Sequence, residues 1–142
     1  MRNYTKTIST IVIILVGLFY YQNAFADTHT ALSCSSADVT AAITASSNGD
    51  TVTIPAGACT WTSGITLPAD KLITLQGAGA TNTVISHGAI KAISLVGAHR
   101  ITGIGFKLTS SGGYHIDARR KGWRIDHCSF TNLVGTSQYS IQ

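Results

Sequence analysis

The residues able to do chemistry crowd into one short stretch: His115, Asp117, Arg119, Arg120, Lys121, Arg124, Asp126 and His127. Two readings fit this mixture. In the first it is a cationic groove wall that pairs with sugar carboxylates, because a guanidinium offers two parallel bonds to a planar acid. His115, Asp117, Arg119, Arg120, Arg124 and Asp126 are then the candidate substrate-binding residues. In the second, positions 119–121 form a solvated basic turn and Arg124 lies on an outward strand face, paired with a nearby Asp. His127 is then a corner residue, His115 a member of an outward polar ladder, and Asp126 an acceptor for corner amides.

The acids restrict what this stretch can catalyse. The chain has no Glu, and its six acids are Asp27, Asp38, Asp50, Asp70, Asp117 and Asp126. Calcium takes about six to eight oxygen ligands, several of them carboxylate. Only Asp117 and Asp126 fall near the charged stretch, and they are expected on different faces. A glycosidase needs two facing carboxylates, and no such pair is evident. No catalytic residue, metal site or cofactor is therefore assigned, and Ca²⁺ binding is expected only of a longer protein. Trp61 and Trp123 are either platforms for sugar rings or covers over an apolar rim with their N–H groups left in water.

The elements that position these residues are written as a repeated word. It occurs as Val52-Thr53-Ile54, Ile73-Thr74-Leu75, Ile93-Ser94-Leu95, Tyr114-His115-Ile116 and Tyr139-Ser140-Ile141. Apolar, polar, apolar is the period of a strand with one buried face. Self-similarity at about 20 residues marks a solenoid, in which no single repeat can cover its own apolar face. The word predicts inward columns running Val52, Ile73, Ile93, Tyr114, Tyr139, with Thr53, Thr74, Ser94, His115 and Ser140 pointing out. Small residues two places on, Ala56, Gly77, Gly97 and Ala118, suit tight corners.

A second set of strands completes each coil. Arg100-Ile-Thr-Gly-Ile-Gly-Phe106 aligns with Arg124-Ile-Asp-His-Cys-Ser-Phe130. The apolar residues fall at i, i+3 and i+5, so one residue is spent on a bend, occupied by Gly103 or His127. Both are types that tolerate positive φ. Cys128 falls in an Ile column and reads as a small buried hydrophobe in preference to a reactive thiol. Helical crossovers need a dozen or more residues, and the connections here are short and rich in Gly, Ser and Thr. A parallel β-helix remains.

Ile73-Thr-Leu-Gln-Gly-Ala-Gly79, Arg100–Phe106 and Trp123-Arg-Ile-Asp-His-Cys-Ser-Phe130 resemble coils of the secreted right-handed parallel β-helix proteins of the pectate lyase-like superfamily. The resemblance spans nearly all of residues 33–142 and implies an all-β solenoid. It implies no single reaction, since lyases, hydrolases, esterases, epimerases, depolymerases and adhesins share that fold. Pectate lyases carry a Trp-Ile-Asp-His string, and here Arg124 interrupts it.

Residues 1–26 read as a signal peptide: Arg2 and Lys6, an apolar run from Ile8 to Tyr21, then Ala24-Phe25-Ala26 as the cleavage site. Without Arg2 and Lys6, eight Lys and Arg face six Asp, a net charge of +2. That is no nucleic-acid footprint. The chain is expected to be secreted, periplasmic or displayed on the cell surface, with no membrane span after cleavage, and monomeric. Export permits a Cys34–Cys59 disulfide. Residues 27–50 should form a cap: Ser35-Ser36-Ala37-Asp38 followed by Val39, Ala42 and Ile43 is a capped amphipathic helix. Residues 51–142 then form coils, the last left open after Gln142, an expectation of further coils beyond it. Two functions stay open: a polysaccharide lyase or glycoside hydrolase whose catalytic coils lie largely outside this stretch, or a non-catalytic adhesin, glycan binder or scaffold.

Overall fold

The computed structural model describes residues 25–88, 91–110, 113–119 and 121–131. A short strand, β1 (Thr28–Thr30), leads into helix α1 (Ser36–Ala45). The chain then winds through three sheets in strict rotation. The first turn is β2 (Thr51–Ile54), β3 (Gly57–Trp61) and β4 (Ile65–Leu67). The second is β5 (Thr74–Gly77), β6 (Thr83–His87) and β7 (Lys91–Leu95). The third is β8 (Arg100–Thr102), β9 (Gly105–Leu108) and β10 (Tyr114–Ala118), and β11 (Arg124–Asp126) and β12 (Ser129–Thr131) begin a fourth. Sheet A is β1-β2-β5-β8-β11, sheet B is β3-β6-β9-β12 and sheet C is β4-β7-β10. Every pairing is parallel. The fold is a parallel β-solenoid, as the sequence predicts.

The columns inside it are not the ones the repeated word predicts. Val52 stacks on Leu75, then Ile101 and Ile125 in sheet A. Ile93 belongs to sheet C, between Ile65 and Ile116. Ile73 precedes β5, and Tyr114 is only half-buried, opposite Lys91 and outside the core. Tyr139 and Ser140 lie outside the described residues. The true coil, read down sheet A through Thr28, Thr51, Thr74, Arg100 and Arg124, advances by 23, 23, 26 and 24 residues. A word of apolar-polar-apolar fits a strand of any sheet, so its spacing of about 20 slides from one sheet to another.

The longer alignment holds residue for residue. Arg124 lies on Arg100, Ile125 on Ile101 and Phe130 on Phe106. Gly103 (φ 68) and His127 (φ 51) are the left-handed corners between sheets A and B. The core is a narrow column of side chains closed on three sides: Ile85, Phe106 and Phe130 from sheet B meet the aliphatic columns of sheets A and C. Phe106 and Phe130 stack at 5.4 Å with planes 8° apart. Fully burying one such aliphatic or aromatic side chain stabilises by about 1.5–3 kcal/mol, which only the neighbouring coils make possible.

Helix α1 closes the first coil. The Ser35 hydroxyl accepts from the Asp38 amide, and Val39, Ala42 and Ile43 are buried against β1, β2 and β4. The last turn has no basic residue of its own. Lys71 reaches across instead, its Nζ donating to the carbonyls of Ile43 (2.7 Å) and Ser46 (2.6 Å) at the helix end. Cys34 and Cys59 are joined, with Cα atoms 5.8 Å apart, so the lid is tied to β3. Trp61 is wholly buried beneath it and donates Nε1–H to the Cys34 carbonyl at 2.8 Å. It is neither a sugar platform nor a rim cover with a wet N–H, because its indole fills the core below the disulfide. Sequence reading also missed β1, which adds a rung to sheet A ahead of the helix. Asp50 anchors that rung, accepting from the amides of Asp27 and Ser47 and pairing with His29 Nε2 at 3.0 Å. Those two amides, with His29, hold its carboxyl below the usual carboxylate range.

Candidate functional site

The charged stretch divides three ways on the solenoid. Alternation along β11 turns Arg124 and Asp126 outward on sheet A, where they meet Arg100 and Thr102 of the coil below. Arg100 grips Asp126 with two bonds, Nε to Oδ2 and Nη2 to Oδ1, each 3.0 Å. Arg124 Nε and the Thr102 hydroxyl close on the same carboxylate, and His127 Nδ1 lies 3.0 Å from Oδ1. Arg100, then Thr102 and His127, hold the Asp126 carboxyl far below its ordinary range, and the Arg100 guanidinium is raised in return. Asp126 therefore bonds side chains of its own cluster; the expectation that it accepts from corner amides is corrected, since the bend turns its carboxylate along the outer face.

Asp117 is on sheet C, a different face from Asp126. It is 3% exposed and lies between Arg119 Nε at 2.8 Å and Lys91 Nζ at 3.1 Å. Burial pushes its pKa up, but the bonds from Arg119 and Lys91 outweigh this and leave it lowered. Arg120 lies outside the described residues.

His115 is not on the outside. It has no exposed surface, and its imidazole sits in the core beside Phe106 and Phe130. Its Nδ1 is 2.7 Å from Nε2 of His87, another fully buried ring. Burial first, and the neighbouring imidazole second, lower the His115 pKa to about 4. Cys128 is half-buried with its thiol toward the Asp126 carbonyl at 3.3 Å, and burial pushes its pKa up, so it is held as the unreactive thiol.

Sequence reading singled out Arg124 and Asp126 but passed over Arg100, Thr102, Lys91 and His87. For Arg100 the signal was present: it heads the string that aligns with Arg124. For Lys91 and His87 only the correct sheet assignment reveals the pairing.

Below the Arg100–Arg124 pair, the outer face of sheet A carries two polar columns. One is Thr28, Thr51, Thr74, Arg100, Arg124; the other is Thr30, Thr53, Gln76, Thr102, Asp126. The Thr53 hydroxyl donates to the Thr30 hydroxyl at 2.9 Å. A groove of about 220 Å³ runs beside the second column, between Thr30, Thr53, Gln76, Ile54 at the end of β2, and Pro55 after it.

Chemically, both carboxylates are neutralised by cations, and neither is free to relay a proton near neutral pH. Among the described residues no three His, Cys, Asp or Glu are grouped to hold a metal ion. What the site offers is hydroxyls and guanidinium N–H donors. No protein-family model, curated protein or solved structure matches this chain.

Proposed function

We propose that the described coils bind an extracellular acidic polysaccharide without cleaving it. One observation carries this reading: Asp117 and Asp126 are each engaged by two cations and lie on different sheets. A glycosidase needs one carboxyl to hold a proton and another to face it across the bond, and a calcium-dependent lyase needs free carboxylate oxygens. Each cluster instead has two cations to one acid, an excess of positive charge suited to uronate groups. The Cys34–Cys59 disulfide supports export, since such bonds persist in oxidising compartments. Among the described residues no helix is long and apolar enough to cross a membrane.

The string Trp123-Arg-Ile-Asp-His127 favours a second reading, a polysaccharide lyase of the pectate lyase-like kind. Its carboxylates would have to come from outside the described coils. One assay separates the two. Incubated with polygalacturonate, a binder is retained on the polymer and leaves flat the ultraviolet absorbance at which an unsaturated uronate product would appear. Rising absorbance refutes the non-catalytic reading, and the absence of both retention and rising absorbance removes both.

A further inference from the structure

We propose that the outer face of sheet A is the polysaccharide track. An acidic glycan lies along the solenoid axis, its hydroxyls on the threonine ladder and a uronate carboxylate on the Arg100–Arg124 pair. This rests on the glycan-binding reading above and adds the place and the recognised group.

Three features single out this face. The first is length. Among the described residues sheet A has five strands, its first rung supplied by β1 ahead of helix α1, against four in sheet B and three in sheet C. The second is chemistry. Thr28, Thr30, Thr51, Thr53, Thr74 and Gln76 present hydroxyl or amide groups on three successive rungs, with no aliphatic side chain between them. Rungs about 4.8 Å apart, with columns about 7 Å apart along each strand, repeat donors and acceptors at constant pitch. A polymer of hydroxylated units can use such a repeat; a single small molecule cannot. The groove beside Thr30, Thr53 and Gln76, walled by Ile54 and Pro55, gives the ladder a lateral edge.

The third feature is charge. Arg100 and Arg124 are in register on adjacent coils and share the single carboxylate of Asp126. The bonds described use Nε and Nη2 of Arg100 but only Nε of Arg124, whose side chain is 69% exposed. The outer edge of the Arg124 guanidinium is therefore open, and its planar fork matches a carboxylate. Asp126 pre-orients that fork from below. Sheet C has a comparable cluster at Asp117, but there the residue in line with the carboxylate on the neighbouring rung is Ser94, only 6% exposed, and Lys91 of that rung is already bonded to Asp117.

The test is affinity electrophoresis of the intact chain through gels containing polygalacturonate, fully methyl-esterified pectin or dextran. Retardation by polygalacturonate alone is expected. Arg124→Gln leaves Asp126 paired with Arg100, and it should weaken retention about tenfold, the scale of a lost charged hydrogen bond. Thr53→Val should weaken it about threefold, and Lys107→Gln on the outer face of sheet B should leave it unchanged. Circular dichroism melts matching the wild type show that each variant is folded. If Lys107→Gln weakens binding while Arg124→Gln and Thr53→Val do not, the track is elsewhere and the glycan-binding reading survives. Equal retention by methyl-esterified pectin overturns carboxylate recognition. A wild type retarded by no gel defeats the glycan-binding reading itself.

Discussion

Acid should loosen this protein through one buried ring. His115 has no exposed surface and stands among Phe106, Phe130 and the His87 imidazole, with no carboxylate described in contact with it. A neutral imidazole supplies one donor and one acceptor, so the 2.7 Å bond to His87 needs at least one neutral partner. The folded pKa is lowered from 6.5 to about 4, chiefly by burial. As pH falls the unfolded chain therefore takes up this proton first. The stabilisation is complete above pH 6.5 and is lost progressively as pH falls toward 4. At 1.36 kcal/mol per pKa unit the loss amounts to about 3 kcal/mol, a large share of a small domain's stability. Burial lowers the pKa of His99 as well and adds to the effect in the same direction. The aspartates act in a separate window. Asp50, Asp117 and Asp126 are all lowered from 3.8, so their contributions fade only below that value.

The assay is urea unfolding followed by circular dichroism from pH 7.5 to pH 4.5. The wild-type midpoint should fall steeply over this range. In His115→Leu it should start lower, by roughly 1 kcal/mol for the lost bond, and then decline much less. A wild-type midpoint that stays level to pH 4.5, or a His115→Leu slope equal to the wild type, refutes the assignment of this ring to the core.

Other expectations follow from the lid and the corners. Replacing Cys34 and Cys59 by Ala removes a cross-link spanning 25 residues. Stability should drop by about 3 kcal/mol in the chain-entropy description, and fluorescence should shift red as Trp61 loses its cover, read by thermal melts and emission spectra. An unshifted emission maximum would mean the lid does not need the bond. Gly77→Ala places a Cβ 2.3 Å from the Gly103 carbonyl oxygen of the next coil. Because a backbone atom must move, a loss of about 1–3 kcal/mol is expected in urea titrations, and a neutral result would place the coils farther apart.

The sequence revealed the solenoid, the capped helix and the disulfide because each leaves a local mark. Ser35 before an amphipathic run and a cysteine pair 25 residues apart need no knowledge of the rest of the chain. The register did not come through. Val52-Thr53-Ile54 and Ile93-Ser94-Leu95 look alike because strands of every sheet alternate inward and outward, so the word carries no label for its sheet. The string from Arg100 to Phe106 does carry one, since it contains the left-handed corner at Gly103, and His127 takes the same place between sheets A and B one coil later. That string placed Arg124 over Arg100 and Phe130 over Phe106. His115 was misread for the first reason: it was assigned the outward place of Thr53 from the word alone, whereas its ring packs among Phe106, Phe130 and His87 in the core.

Everything assigned to the outer face of sheet A depends on which residues are neighbours across coils. Nuclear Overhauser spectra of the labelled protein read this directly. Backbone amide-to-Hα cross-peaks should link Val52 with Leu75, Leu75 with Ile101 and Ile101 with Ile125. Cross-peaks linking Val52 with Ile73 and Ile73 with Ile93, or the close Hα–Hα contacts of antiparallel strands, would contradict it and dissolve both the threonine ladder and the Arg100–Arg124 pair.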